Sequence, residues 1–524
     1  MKINRRPQDL KNRLNNQAGC HLDYPLFFEN TNSIYTMYHK QILIQAFALV
    51  IGIQAMPQVG IGTTKPMATL DVNGTIKVGA VSNGTPAKGT IRWNDTKNDF
   101  EGFNGSDWLS LTGSQGSWGN KQQFVHETNA STAMLQFNSQ GTDVGHYLGN
   151  SLTMINHYLV AGAPGDFNMA GTIQNAGTLR IMKKQNGQWS NFTTLWPPEA
   201  TAMSGGFGTS VNSISSHFIV GARTATVGAN FGQGKAYIYA MNLNGDIALQ
   251  AQLTAPDGTS SDYLGQSVAM TSMHAIAGAP GDNVGGQLSR GSAYIFQRNT
   301  MTNTWAYQAK LEPPDGLEED VFGNAVAISG TVAAIGAPFA KVGNMHRAGK
   351  VYIFRLINNT WTYSQTITPS DQLAFDKFGT ALQFVGDTLV IGAPQYNGIQ
   401  LSNNGKVYFY LNTNGTMQWQ HTLLADDGKK ADGFGQSVHL YNGQLIVGAA
   451  NANVLANELQ GKAYIFRRSG SGWQLQATLK SSNGAMNDGF GQAVVLGPTG
   501  AAVSSIQADY KGFNMHGRIY FYEE

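Results

Sequence analysis

The chain has 524 residues, only 13% of them charged, and a formal net charge of +2 at pH 7. This near-neutral balance excludes the basic footprint of a nucleic-acid-binding protein. The 63 glycines, 10% aromatic residues and short Val/Ile runs indicate an all-β protein with many tight turns. Cys20 is the only cysteine, which excludes a disulfide framework and a cysteine-based metal site.

Residues 37–57 have the layout of a secretory signal peptide. His39 and Lys40 precede an apolar run over residues 42–55 that ends in small residues. The run is too short to span a membrane, because a spanning helix takes about 20 apolar residues. We therefore predict a secreted or cell-surface protein in which residues 1–36 are an upstream extension. The alternative is a buried helix or strand.

Residues 58–113 have a different pattern, with apolar and polar residues alternating between Gly, Asn and Asp turns. This is typical of short strands and predicts a small β-rich module. The segment resembles parts of bacterial surface proteins and tail-fibre shafts. The resemblance implies a stalk with intertwined trimeric β-structure, and thus a homotrimer; a monomeric module or spacer is the alternative. Residues 114–122 are predicted to be a flexible linker.

Internal repeats dominate residues 123–524. A Phe-Gly or Leu-Gly pair recurs at intervals of 59, 57, 58, 56, 56 and 56 residues. Its structural glycines are Gly149, Gly208, Gly265, Gly323, Gly379, Gly435 and Gly491. A Gly-x-x-Tyr-x-aromatic motif and a Gly-Ala-Pro motif run in step with it. Each copy holds four short strands, so the chain predicts a seven-bladed β-propeller of four-stranded blades.

The order, spacing and number of these motifs resemble the FG-GAP repeat family, the propeller of integrin α-subunits. The last copy stops after its third strand, at Tyr522. A ring would then lack one outer strand, which the chain before the first repeat can supply. Phe137 lies twelve residues before Gly149, as Leu253 lies twelve before Gly265. We therefore predict that residues 131–138 pair with the C-terminal strand and close the ring.

The resemblance also implies Ca²⁺ in the loops after Gly-Ala-Pro, bound by an Asp-x-Asp/Asn-x-Asp-Gly pattern. Here those loops hold only lone acids such as Asp166 and Asp282, whereas Ca²⁺ takes 6–8 oxygen ligands. We predict no metal site and no cofactor, with weak calcium binding through backbone carbonyls as the alternative. The recurrent Asp pairs, such as Asp315 and Asp320, are predicted to be structural turn residues.

The sequence contains no nucleophile elbow, zinc-protease motif or phosphate loop, and no catalytic residue is predicted. A row of tryptophans near the start of the fourth strands is predicted to pack outer strands rather than stack on sugars. Its members are Trp189, Trp305, Trp361, Trp419 and Trp473.

The leading hypothesis is a binding or adhesion-type protein, without a membrane span, whose propeller loops contact an extracellular protein or glycan. The candidate ligand-binding residues lie in loops after Gly-Ala-Pro: Asp166, Asn168, Asp282, Asn283, Asn344, His346 and Arg347. The first alternative is a structural envelope or matrix component. The second is an enzyme with a site at the propeller axis.

Overall fold

The computed structural model describes residues 59–61, 70–72, 91–94, 99–103, 108–110, 123–125 and 145–523, the last range without 168–172, 186–187, 200–204, 395–403, 471 and 510–514. The predicted signal segment, Cys20 and residues 131–138 lie outside these residues. The chain divides into two compact units, residues 1–112 and 113–524.

The N-terminal unit contains short strands, as its alternating pattern predicts. Strands β1 (Val59–Ile61) and β2 (Leu70–Val72) pair in parallel. Strands β3 (Ile91–Asn94), β4 (Asp99–Phe103) and β5 (Trp108–Ser110) form an antiparallel sheet. The fibre-like stalk and the homotrimer remain predictions.

The C-terminal unit consists of seven four-stranded antiparallel sheets, the blades. Blades 1 to 3 comprise β7 (Leu152–Ile155), β8 (Tyr158–Ala163), β9 (Thr178–Gln185), β10 (Gln188–Leu195); β11 (Phe207–Ile214), β12 (His217–Ala222), β13 (Lys235–Met241), β14 (Ile247–Leu253); β15 (Ser267–Met270), β16 (His274–Ala279), β17 (Ser292–Asn299) and β18 (Thr304–Leu311). Blades 4 to 6 comprise β19 (Ala325–Ser329), β20 (Val332–Ala337), β21 (Lys350–Ile357), β22 (Thr360–Ile367); β23 (Ala381–Val385), β24 (Thr388–Ala393), β25 (Lys406–Thr413), β26 (Thr416–Leu423); β27 (Phe434–Tyr441), β28 (Gln444–Ala449), β29 (Lys462–Ser469) and β30 (Gly472–Leu479). Blade 7 comprises β31 (Phe490–Gly497), β32 (Gly500–Ser505), β33 (Arg518–Tyr522) and β6 (Gln123–Val125).

The first strands of the blades form the inner wall of a closed ring. Strands β7, β11, β15, β19, β23, β27 and β31 contact one another in that order, and β31 contacts β7. The predicted all-β, seven-bladed propeller is thus confirmed. In the described residues the only helix is a 3-10 turn at Val284–Gly286 in a blade 3 loop.

The hydrophobic core lies between the blades rather than within them. In the layer between blades 3 and 4, Ile295 and Leu311 of blade 3 pack with Tyr352 and Phe354 of blade 4. Corresponding clusters join every other neighbouring pair, including blades 7 and 1. Because a blade is covered on both faces, its third strand is apolar on both sides, which explains the Tyr-x-aromatic motif.

The glycine of Gly-Ala-Pro is required by the next blade. A Cβ at Gly336 would lie 2.2 Å from the carbonyl oxygen of Gly379, in the Phe-Gly pair of blade 5. The same contact occurs at Gly221 and Gly448. This close approach explains why the glycine persists in those two copies although the proline has been replaced, by Arg223 and Ala450.

The N-terminal side of the propeller supplies the missing outer strand, but from a different segment than predicted. Strand β6 pairs with β33 through Val125 opposite Ile519. In blade 2 the corresponding pair is Leu253 opposite Ala236. Val125 thus stands 24 residues before Gly149, against twelve for Leu253 before Gly265. The predicted assignment to 131–138 was wrong because this connection is longer at the seam than in the repeats.

Candidate functional site

One face of the propeller carries the longer loops. Antiparallel pairing brings the loop between the second and third strands next to the connection from the fourth strand to the next blade. We call this the loop face. The tight turns between strands one and two, and between three and four, lie on the opposite face.

The first Asp of each recurrent pair ties a connection to the following blade. Asp315 accepts hydrogen bonds from the Tyr352 hydroxyl at 2.8 Å and from the Lys350 ammonium at 2.7 Å. Partial burial raises the pKa of Asp315, but the bonds from Lys350 and Tyr352 outweigh it and lower that pKa. We call this arrangement a latch.

The latch recurs around the ring with substitutions. Its further acceptor–tyrosine pairs are Glu199–Tyr237, Asp257–Tyr294, Asp371–Tyr408, Asp427–Tyr464 and Asn483–Tyr520. Each of these tyrosines is buried. Each of these acceptor side chains therefore has a structural role, as the turn interpretation predicts.

The second Asp of each pair caps the turn in which it lies. Asp320 accepts the backbone N–H of Leu317 at 2.8 Å, and its burial raises its pKa. Asp262, Asp376, Asp432 and Asp488 make the same bond to the residue three positions earlier. A carboxylate that accepts local N–H groups is a turn device.

The structure places the predicted residue Asp166 in the interior. It accepts hydrogen bonds from His146, Thr178 and Arg180, the last at 2.8 Å. Burial raises the pKa of Asp166, but the charges of Arg180 and His146 hold it below its usual value. With only 1% of its surface exposed, Asp166 is not available to a ligand. Its predicted neighbour Asn168 lies outside the described residues.

The predicted pair in blade 3 is also structural. Asp282 is buried and accepts bonds from Ser292 at 2.6 Å and Lys310 at 2.9 Å. Ser292 stands where most blades have a latch lysine, so Lys310 of β18 supplies the cation from the fourth strand. Asn283 is exposed, but its side-chain oxygen accepts the Ser289 N–H at 2.9 Å and closes its own loop.

The three predicted residues of blade 4 do lie together and face solvent. Val342 and Met345 exchange two backbone hydrogen bonds, which sets Asn344 at the tip of a small hairpin. His346 and Arg347 follow it and are exposed. Their carbonyl oxygens accept backbone N–H groups from the next connection, at 2.8 and 3.1 Å. The loop backbone is thereby fixed while its side chains point outward.

An aromatic ring lies beneath these cations. The Arg347 guanidinium lies 4.8 Å from the ring centre of Phe339, and the Lys377 ammonium lies 5.3 Å from it. Burial, followed by the charge of Arg347, lowers the pKa of Lys377. We call Phe339, Lys341, His346, Arg347 and Lys377 the blade 4 patch. Phe339 belongs to the predicted loop but was not among the predicted residues, and Lys377 was missed because only the fold brings it to that loop.

The propeller axis encloses a cavity of about 1280 Å³, lined by the first strands of all seven blades. Its lining contains no Asp, Glu, Lys or Arg in the part of the chain that the structure describes. Several polar side chains on this wall bond across blades: Asn212 accepts the Met270 N–H at 3.1 Å, and His439 accepts the Leu496 N–H at 3.2 Å.

The tryptophan row splits into two groups. Trp189 stacks on Phe521 at 4.3 Å, and Trp361 is buried and donates to Gln308. Trp305 and Trp473 are partly buried against the neighbouring clusters, so the packing role holds for these four. Trp419 was placed in this row wrongly. In blade 5 the equivalent of Trp361 is the buried Met417, two residues earlier.

Comparison with known proteins agrees with this architecture. Residues 248–296, 305–354, 361–410 and 418–466 match the family described as "FG-GAP repeat". These four segments are similar to FG-GAP repeats. Each matched FG-GAP segment begins in the fourth strand of one blade and ends in the third strand of the next. The closing strand β6 repeats this offset at the seam.

Two integrins are similar to part of the FG-GAP propeller. Integrin alpha-2 of Bos taurus is 24% identical over 208 residues, which are 34% of this chain and 17% of the bovine protein. Integrin alpha-2 of Mus musculus is 24% identical over 207 residues, 35% of this chain and 17% of the mouse protein. The chain thus spans about a sixth of the length of these relatives, and the predicted resemblance to integrin α-subunits is confirmed for this region.

The described residues lack two further features. They contain no group of three or more His, Cys, Asp or Glu side chains arranged to hold a metal ion. They also contain no helix long and apolar enough to cross a membrane.

Proposed function

We propose that this protein is an extracellular binding protein of the adhesion type, whose loop face contacts a protein or glycan. Its resemblance to part of integrin alpha-2 supports a ligand-binding role. Loops on a rigid ring are well suited to recognition, because they vary without disturbing the packed strands. The latches serve this role by fixing where each loop begins.

The observation that carries the proposal is the blade 4 patch. Arg347 forms no ion pair with a carboxylate in the described residues, whereas the nearby latch lysine Lys350 is paired with Asp315. An exposed guanidinium beside an aromatic ring is a common centre of protein interfaces. The positive charge favours an acidic segment of an extracellular protein or an anionic glycan.

The test is a binding screen of the 524-residue chain against extracellular-matrix proteins and glycans. Arg347→Ser should weaken a reproducible interaction by about tenfold, since truncating an interface arginine commonly costs 1–2 kcal/mol. Lys430→Ser is the matched control, because it removes the same charge from another exposed connection. Adding calcium or a chelator tests the weak-calcium alternative. If Lys430→Ser weakens binding as much as Arg347→Ser does, the effect is one of net charge, and the binding role of the blade 4 patch is refuted.

The same proposal includes secretion through residues 37–57 and display on a stalk formed by residues 58–113. The layout of the first segment and the short strands of the second support it. Sedimentation of the secreted protein distinguishes a trimer from a monomer. If no ligand is found and the protein assembles through its N-terminal unit, the structural-component hypothesis takes precedence.

Binding is placed before catalysis for a chemical reason. A general acid–base site at the axis would require a titratable pair facing the cavity. The described lining offers mainly uncharged polar and apolar groups, and burial lowers the pKa of both its histidines, His274 and His439, the latter to about 4. Such a wall suits ordered water better than proton transfer.

A further inference from the structure

A second surface feature is a groove between blades 4 and 5, lined by residues other than those of the blade 4 patch. Its walls are the end of β22 with the connection that follows, and the facing part of β26. Its volume is about 490 Å³, within the range of small-molecule sites. We call it the blade 4–5 groove.

Trp419 forms one wall of the groove. Its side chain is 58% exposed, although indole is among the most costly side chains to leave in water. The indole nitrogen donates to the Thr422 hydroxyl at 3.1 Å. The ring is therefore held at one edge while a large part of its surface remains open.

The packing of blade 5 does not require this tryptophan. Trp419 pairs with Tyr410, and the same position in blade 4 is Tyr363, paired with Phe354. Met417 already fills the buried slot that Trp361 fills in blade 4. Blade 5 thus carries its indole two residues further along the strand, on the outside.

The opposite wall of the groove is polar. The Asp371 carboxylate is half-exposed and held in place by Lys406 and Tyr408, both at 3.0 Å. Beside it, Thr368 and Ser370 expose hydroxyl-bearing side chains. Hydroxyl and carboxylate groups on a fixed wall can bond several hydroxyls of one ligand.

The floor adds one further polar atom. Tyr410 lines the groove at a position where blades 3, 4 and 6 have phenylalanine. Burial, followed by the charge of Asp371, raises the pKa of Tyr410 to about 12. Its hydroxyl therefore stays protonated at neutral pH and can donate a hydrogen bond.

We propose that the blade 4–5 groove binds a neutral saccharide. A pyranose has an apolar face of C–H groups for the Trp419 ring and a rim of hydroxyls for Asp371 and Tyr410. The lining itself has no cation, and its one carboxylate is already paired with Lys406, so no unpaired positive charge favours an anionic sugar. The connection after β22 belongs to the loop face, but the groove uses none of the blade 4 patch residues, so variants of Trp419 and of Arg347 test the two proposals separately.

The test is calorimetric titration of the full chain with lactose, cellobiose, maltose, mannobiose and diacetylchitobiose, with 3′-sialyllactose as the anionic comparison. At least one neutral disaccharide should bind, and Trp419→Leu should weaken that binding by about tenfold. Trp419→Tyr should retain part of it, since a phenol ring also stacks. Tyr363→Leu is the matched control at the equivalent position of blade 4 and should leave affinity unchanged.

Urea unfolding of the Trp419 variants should match that of the parent protein, because the side chain is mostly in solvent. The proposal is overturned if no neutral disaccharide binds at about 20 mM, a concentration well above typical weak affinities. It is also overturned if Trp419→Leu binds as well as the parent, or if only sialyllactose binds. If Arg347→Ser loses binding and the Trp419 variants do not, recognition would instead lie at the blade 4 patch of the loop face.

Discussion

Replacing His439 should remove a measurable part of the acid sensitivity of the propeller. His439 lies on the axial wall in β27, and its ring nitrogen Nδ1 accepts the backbone N–H of Leu496 in the next blade. A protonated imidazole cannot accept that bond. Burial accordingly lowers the pKa of His439 from 6.5 to about 4.

The sign of the effect follows from proton counting. Between pH 6.5 and 4 the unfolded chain binds a proton at this residue and the folded chain does not. Stability from neutral His439 is thus complete above pH 6.5 and falls as the pH drops toward 4. A difference of about 2.5 between the two pKa values corresponds to about 3 kcal/mol at the acid limit. At about pH 5 the expected loss is about 2 kcal/mol.

The chain itself indicates the matched variant. Gln383 stands at the equivalent position of blade 5, four residues after the repeat glycine, and its side-chain oxygen accepts the Leu440 N–H. His439→Gln should therefore preserve the interblade bond and stay within about 1 kcal/mol of the parent protein at neutral pH. Other titrating groups contribute equally in both proteins and cancel in the comparison.

The assay is urea unfolding of both proteins at about pH 7.5 and about pH 5, where the parent should lose about 2 kcal/mol more than His439→Gln. Equal losses in the two proteins would refute the reasoning, because His439 would then titrate alike in the folded and unfolded chain. A large loss for the variant at neutral pH would show that glutamine cannot replace the bond.

Two further predictions concern the architecture. Tyr352→Phe should lower the free energy of unfolding in urea by about 2 kcal/mol, because it removes a buried hydroxyl bonded to Asp315. Tyr363→Phe, at an exposed site, should lower it by less than about 0.5 kcal/mol. Equal losses would contradict the latch. A chain that begins at residue 128 should melt well below one that begins at residue 120, because it lacks β6. Deleting residues 131–138 alone should change the melting temperature little, since shortening a connection changes loop entropy only slightly. The reverse ranking would support ring closure by residues 131–138.

The repeat spacing was sufficient to predict the blades because it reflects physical constraints that most copies share. Gly336 and its equivalents must admit the carbonyl of the next blade, and the Tyr352 position must fill the gap between two sheets. Such constraints act on single positions at a fixed period, so they remain visible in the sequence. The number of blades and the order of their strands follow directly from them.

The same reasoning failed where the period is interrupted. The distance rule placed the closing strand at 131–138 because it assumed a repeat-length connection before Gly149, and the seam does not need one. It also aligned Trp419 with Trp361 because both are tryptophan, although their strand registers differ. Strand register depends on pairing with a partner, which a single-strand pattern does not show.

For the candidate site, the sequence identified which loops vary but not which side chains are available. Asp166 and Asp282 have the residue type of a ligand contact, yet each is buried and hydrogen-bonded to neighbouring side chains inside the fold. Arg347 was predicted on the same grounds and does reach solvent, above Phe339. The distinction depends on cations that are distant in sequence, such as Arg180 and Lys310, and only the packed blades bring these to the loops.

Departures from the repeat therefore have two physical meanings, and burial separates them. Where a departure is internal, a neighbour compensates for it. Ser292 occupies the position of the latch lysine, and Lys310 supplies the missing cation; Arg180 neutralises Asp166. Such changes keep the interface between blades intact. Where a departure faces solvent and nothing compensates for it, as at Trp419 and Arg347, the packing of the propeller does not account for the side chain. We therefore place recognition at these two exposed positions, because selection for binding explains their side chains and packing does not.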